Sequence, residues 1–82
     1  MAELVLTPTT TSIEVEVVDL SDEYEYFSFS IYTYPGPSSG RWINDSGGYI
    51  NRNYIEFTDL DPNTHYSIFC DYSIDKTNSL SL

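Results

Sequence analysis

Polar and apolar residues alternate along most of this chain. Ser12-Ile13-Glu14-Val15-Glu16-Val17 alternates without a break, as a strand does when one face lies in a core and the other in water. Phe27-Ser28-Phe29-Ser30-Ile31 repeats the pattern with aromatic and β-branched residues, which suit a pleated surface. Tyr54-Ile55-Glu56-Phe57 is a shorter copy. Across residues 65–74 the same period places Tyr66, Ile68, Cys70, Tyr72 and Ile74 on one face, with His65 on the other. Leu4-Val5-Leu6 predicts a first strand, Arg41-Trp42-Ile43 a short edge strand, and residues 79–82 a short last one. Apolar residues nowhere recur at helical spacing over successive turns. The pattern predicts an all-β, antiparallel chain of about seven strands.

Turn chemistry fills the gaps. Tyr34-Pro35-Gly36-Pro37-Ser38-Ser39-Gly40 is excluded from a central strand, because its prolines remove ladder donors. Asn44-Asp45-Ser46-Gly47-Gly48 predicts a second loop, Asp61-Pro62-Asn63 a tight turn, and Asp75-Lys76-Thr77-Asn78 a hairpin connection. With 82 residues the chain predicts one domain, residues 1–82. Its 13 acids against 3 bases give a net charge of −10. That argues against a nucleic-acid partner, since phosphate contacts need a Lys/Arg surface. No apolar run is long enough to insert into a membrane, and Met1-Ala2-Glu3 lacks the basic and apolar regions of a signal peptide.

Little in the sequence suggests catalysis. The single histidine, His65, and the single cysteine, Cys70, are predicted on opposite faces of one strand, which separates base from nucleophile. Cys70 reads as a small core residue with an unreactive thiol. Asp59-x-Asp61-x-Asn63 imitates the opening of a calcium loop, but Thr64 stands where that loop needs glycine, and Cys70 stands where it needs glutamate. Asp19, Asp22, Glu23 and Glu25 crowd another loop, either as a weak calcium site or simply as a solvated turn. Asn44-Asp45-Ser46 satisfies the N-glycosylation triplet. The expectation is a protein that is not an enzyme and carries no cofactor or metal.

The stretch from Ile55 to Ile68 resembles the corner between the fifth and sixth strands of a fibronectin type III domain. Leu60, Pro62, Thr64 and Tyr66 match the leucine, proline, threonine and tyrosine of that family's corner. Pro62 presets the turn, Leu60 plugs the core, and Tyr66 buries its ring while its hydroxyl reaches the corner's backbone. The match is good over residues 55–74 and loose over the rest. The family usually has tryptophan where this chain has Val17. The resemblance implies a two-sheet immunoglobulin-like sandwich. It also implies a module cut from a longer secreted, cell-surface or virion protein, where it acts as a spacer or adhesion domain beside neighbouring domains.

The aromatic content, 16%, exceeds what a small core absorbs. If Phe27, Phe29, Ile31, Ile55, Phe57, Leu60, Tyr66 and Ile68 fill the interior, then Tyr32, Tyr34 and Phe69 face outward. The resemblance places their strands side by side, with Trp42, Tyr24 and Tyr26 at the margins of the resulting patch. Such a patch suits a protein or glycan ligand, although cross-strand tyrosine pairs also stabilise a sheet that binds nothing. The outward Glu14 and Glu16 leave open a third role, an acidic inhibitor of a basic nucleic-acid-binding protein, against the plainer reading of solubility.

Overall fold

Unbroken alternation becomes strand. The computed structural model describes residues 2–82 and contains β1 (Glu3–Pro8), β2 (Ile13–Val18), β3 (Tyr26–Thr33), β4 (Trp42–Asp45), β5 (Tyr54–Phe57), β6 (Tyr66–Ser73) and β7 (Ser79–Ser81). All pairings are antiparallel, and no helix occurs among the described residues. The strands form a three-stranded sheet, β1-β2-β5, and a four-stranded sheet, β4-β3-β6-β7. β1, β5, β4 and β7 are therefore edge strands. Val5 and Leu6 on the β1 edge are exposed.

One hydrophobic cluster joins the two sheets. Val15, Val17 and Phe57 enter it from the three-stranded sheet, and Phe27, Phe29, Ile31 and Cys70 from the other, with Leu60 closing one end. Ile55, Tyr66, Ile68 and Tyr72 pack against this centre while half-buried. β3 and β6 form the longest ladder, from Tyr26 opposite Ser73 to Thr33 opposite Tyr66, with Phe29 facing Cys70 at its middle. A slip of one residue here would turn the phenylalanines to water and the serines to the core, so burial sets the register.

Two expected boundaries move. β4 begins at Trp42 and runs to Asp45, so Asn44 and Asp45 belong to a strand and Arg41 does not. The cause is a bulge: Tyr32 lies opposite Trp42 while Ile31 lies opposite Asn44, which leaves Ile43 as the extra residue. Ile43 packs against the core, an anchor that alternation alone does not show. At the other end β6 stops at Ser73, and Ile74 is exposed rather than inward. Ser73 ends the strand because its Oγ accepts from the amides of Asp75 (3.2 Å) and Lys76 (2.9 Å) and donates to the Asn78 carbonyl (2.8 Å). The turn folds over Ser73 and buries it completely. In the same turn the amides of Thr77 and Asn78 donate to Asp75 and hold its carboxyl below the usual carboxylate range.

The loop between β5 and β6 is tied at three points. Leu60 N donates to the Thr11 carbonyl at 2.9 Å, which links it to the β1–β2 turn. Asp61 N donates to Tyr66 Oη at 2.9 Å, and Thr64 Oγ1 donates to the Pro62 carbonyl at 3.2 Å. Asp59 and Asn63 adopt positive φ (58° and 57°), which such short polar side chains tolerate.

Two stability changes follow. Phe29→Ala should cost about 3–5 kcal/mol in a urea melt, because it empties a fully enclosed site. Tyr66→Phe should cost about 1 kcal/mol by losing one hydrogen bond while keeping the ring. An unchanged midpoint for Phe29→Ala would mean that the ring is not enclosed. An unchanged midpoint for Tyr66→Phe would mean that its hydroxyl does not secure the corner.

Candidate functional site

The outward face of the β3–β6 ladder collects the aromatic side chains the core does not use. Tyr32 and Trp42 are register partners across β3 and β4. Tyr32 meets Phe69 edge to face, with ring centroids 5.8 Å apart. Tyr34 extends the ladder one step through its amide to the His65 carbonyl (2.9 Å), and its ring stacks on His65 at 4.0 Å with planes within 4°. Trp42 is 53% exposed, Tyr34 59% and Phe69 38%, while Tyr32 between them is half-buried. The four expected aromatic residues thus come together, and His65 joins them. Alternation from Phe69 through Ser67 already places His65 on this face, so that signal is present in the sequence.

A loop braces one side of the face. The Tyr34–Pro35 peptide is cis, and Gly36 follows with φ of 124°. A Cβ on Gly36 would lie 2.9 Å from Phe69 Cζ, so the backbone rests directly on that ring. Gly36 N donates to the Thr33 carbonyl at 3.1 Å, and a Cβ on Gly40 would overlap the same oxygen. Arg41 N donates to Thr33 Oγ1 at 2.7 Å, which returns the chain to the ladder just before Trp42.

Tyr24 and Tyr26 do not join the patch. Tyr24 packs edge to face on Tyr72 at 4.9 Å, against the core side of β6. Tyr26 lies at the opposite end of β3, about 20 Å from Tyr32 at strand rise, beneath the Lys76 ammonium, 5.0 Å from the ring centroid. The strand is long enough to separate its two ends, and alternation alone cannot show that.

Several polar groups along β4 and the turn after it are bonded within the chain. Trp42 Nε1 donates to Asp45 Oδ2 at 3.2 Å, and Gly47 N donates to Asp45 Oδ1 at 2.7 Å. Ser46 Oγ accepts from Phe29 N (2.9 Å) and donates to the Gly48 carbonyl (2.6 Å). Asn44 Oδ1 accepts from Asp45 N at 2.9 Å. Further along the face, Asp71 Oδ1 accepts from Ser81 Oγ at 2.9 Å. The face offers ring surface, the carboxylate charge of Asp45 and Asp71, and the polar tips of Tyr32, Tyr34 and His65.

The other candidate chemistry is dispersed. Cys70 is buried beneath the ladder and His65 lies above it, on opposite sides of the four-stranded sheet. Desolvation, and secondarily the Asp71 carboxylate, push the Cys70 thiol up to about 12. On the outward face of the three-stranded sheet Glu14 lies opposite Glu56, and Glu16 opposite Tyr54. Arg52 sits over the Tyr54 ring at 5.6 Å, and these side chains line a shallow open depression. Among the described residues no three His, Cys, Asp or Glu side chains are grouped to hold a metal ion. The corner residues sit apart from the aromatic face: Leu60 is buried, Tyr66 half-buried, and Pro62 and Thr64 exposed.

The chain matches no protein-family model and no curated protein sequence.

Cys70 provides a direct check. A thiol titrating at about 12 stays protonated at neutral and mildly alkaline pH. At about pH 8, native chain should react with iodoacetamide at least roughly 100-fold more slowly than urea-unfolded chain. Comparable rates would mean that the thiol is neither enclosed nor shifted.

Proposed function

We propose that this chain is a non-catalytic module of the fibronectin type III kind, an immunoglobulin-like sandwich that works beside other domains of a longer protein. On this reading it binds a protein through the outward face of β4, β3 and β6. Strand order supports the fold assignment: β3, β6 and β7 share a sheet, and β4 joins them rather than pairing with β5 as in an immunoglobulin constant domain. The bond from Asp61 N to Tyr66 Oη supports it as well, since a tyrosine at the start of the sixth strand closes that family's corner.

The observation that carries the functional reading is the gathering of Trp42, Tyr32, Tyr34 and Phe69 on one outward surface, none of them at the centre of the core. Tyrosine and tryptophan offer large apolar area at low entropic cost, which is why they dominate protein contacts. The net charge of −10 favours a protein with basic side chains over an uncharged glycan. The enclosed thiol and the stacked imidazole, on opposite sides of the sheet, support a role without catalysis.

Affinity capture tests the face. The immobilised chain should retain a protein from source-cell extracts and envelope fractions at both about 50 mM and about 500 mM salt. A Tyr34→Ser/Trp42→Ser double variant should lose that protein, and a Glu14→Gln variant should keep it. Retention only at low salt, lost instead in Glu14→Gln, would point to the acidic-inhibitor role. No retention at either salt would leave a spacer.

A further inference from the structure

We propose that the partner of the aromatic face is a cationic protein segment that lays an arginine guanidinium on Trp42 and Tyr34. The inference rests on the contact-face reading above and names the chemistry of the occupant. Three observations lead to it.

First, the molecule already pairs cations with rings. Arg52 lies 5.6 Å from the Tyr54 centroid, and Lys76 lies 5.0 Å from that of Tyr26. These account for two of its 3 basic side chains. Among the described residues, Trp42, Tyr32, Tyr34 and Phe69 have no cation over them, although indole and phenol faces attract one.

Second, charge selects the sign of the partner. The chain carries −10, so it repels anionic surfaces and draws in basic ones. On the face itself the Asp45 carboxylate adjoins the indole edge, and Asp71 lies further along β6, beside Ser28 on β3. Hydrogen bonds to these carboxylates leave their charge in place. A cation over Trp42 meets ring quadrupole and carboxylate together.

Third, the face offers flat ring surface that is already positioned by contacts within the chain. A guanidinium stacks through its plane, keeps its edge N–H groups free for water or Asp45, and is weakly hydrated. The Tyr34–His65 stack and the hydrogen-bonded indole are held in place before any partner arrives, which lowers the ordering cost of binding.

The test uses the full chain and a capped peptide of alternating arginine and glycine. Trp42 is the chain's only tryptophan, so its fluorescence and indole N–H shift report from the face itself. The arginine peptide should produce a saturable change, and its lysine counterpart should bind roughly threefold or more weakly. Tyr34→Ala should weaken binding roughly threefold to tenfold, with Trp42→Ala checked by backbone amide shifts. A Glu14→Gln/Glu56→Gln variant, altered only on the other sheet, should stay within about twofold. An equal loss in that variant would overturn the proposal, because general acidity would then explain the binding. Binding of a neutral leucine–serine peptide to the same rings, without the arginine peptide, would reject the cationic occupant and leave the contact face standing. A shift of Trp42 by a cellulose or chitin oligosaccharide, and not by arginine, would overturn both readings in favour of a glycan. Silence with every probe would overturn this proposal, and the capture experiment would then judge the face on its own.

Discussion

Phe29 is wholly enclosed, and its partner across the ladder is Cys70, one of the smallest apolar side chains. That large-against-small pairing at the centre of β3 and β6 lets the two strands lie together under one core. The other contacts follow from it. Phe27 and Ile31 enter on either side, and Val15, Val17 and Phe57 close over them from the second sheet. Side chains alternate along a strand, so fixing Phe29 inward also fixes Tyr32 and Phe69 outward. The aromatic surface is therefore the reverse side of the core ladder and inherits its rigidity. At one end Tyr34 and His65 add a further ladder bond, and at the other Ser73 gathers the amides of the next turn.

The sequence is legible wherever alternation is unbroken. Ser12 to Val17 and Phe27 to Ile31 announce their strands and their inward faces, and Tyr54 to Phe57 coincides with β5. Reading fails where a side chain answers to something other than period two. Ile43 breaks the pattern because the core takes it through a bulge, and Ser73 breaks it because a hydroxyl outweighs Ile74 in ending the strand. The candidate surface divides the same way. Alternation suffices to turn Tyr32, Tyr34 and Phe69 outward, but nothing local shows that Gly36 lies on Phe69 or that Tyr26 is remote. Those facts depend on where a loop folds back and how long a strand runs.

The two outward faces differ in kind. One presents aromatic rings, and the other presents Glu14 directly against Glu56, with Glu16 beside them. Like charges in facing positions cost a few tenths of a kcal/mol to about 1 kcal/mol in a ladder. In return, these acids hold water on that face and keep it from stacking on copies of itself. The division leaves the aromatic side as the surface better suited to close contact.

The same acids guard the sheet margins. β1 ends the three-stranded sheet with an unpaired row of backbone groups, and Val5 and Leu6 stand exposed along it. Prolines or bulges blunt many such margins, whereas here Pro8 stands only at the far end of the strand. What separates one copy from the next is mutual repulsion between chains of charge −10, a repulsion that salt screens. Concentrated salt therefore moves β1 from a quiet border toward a template for a second strand.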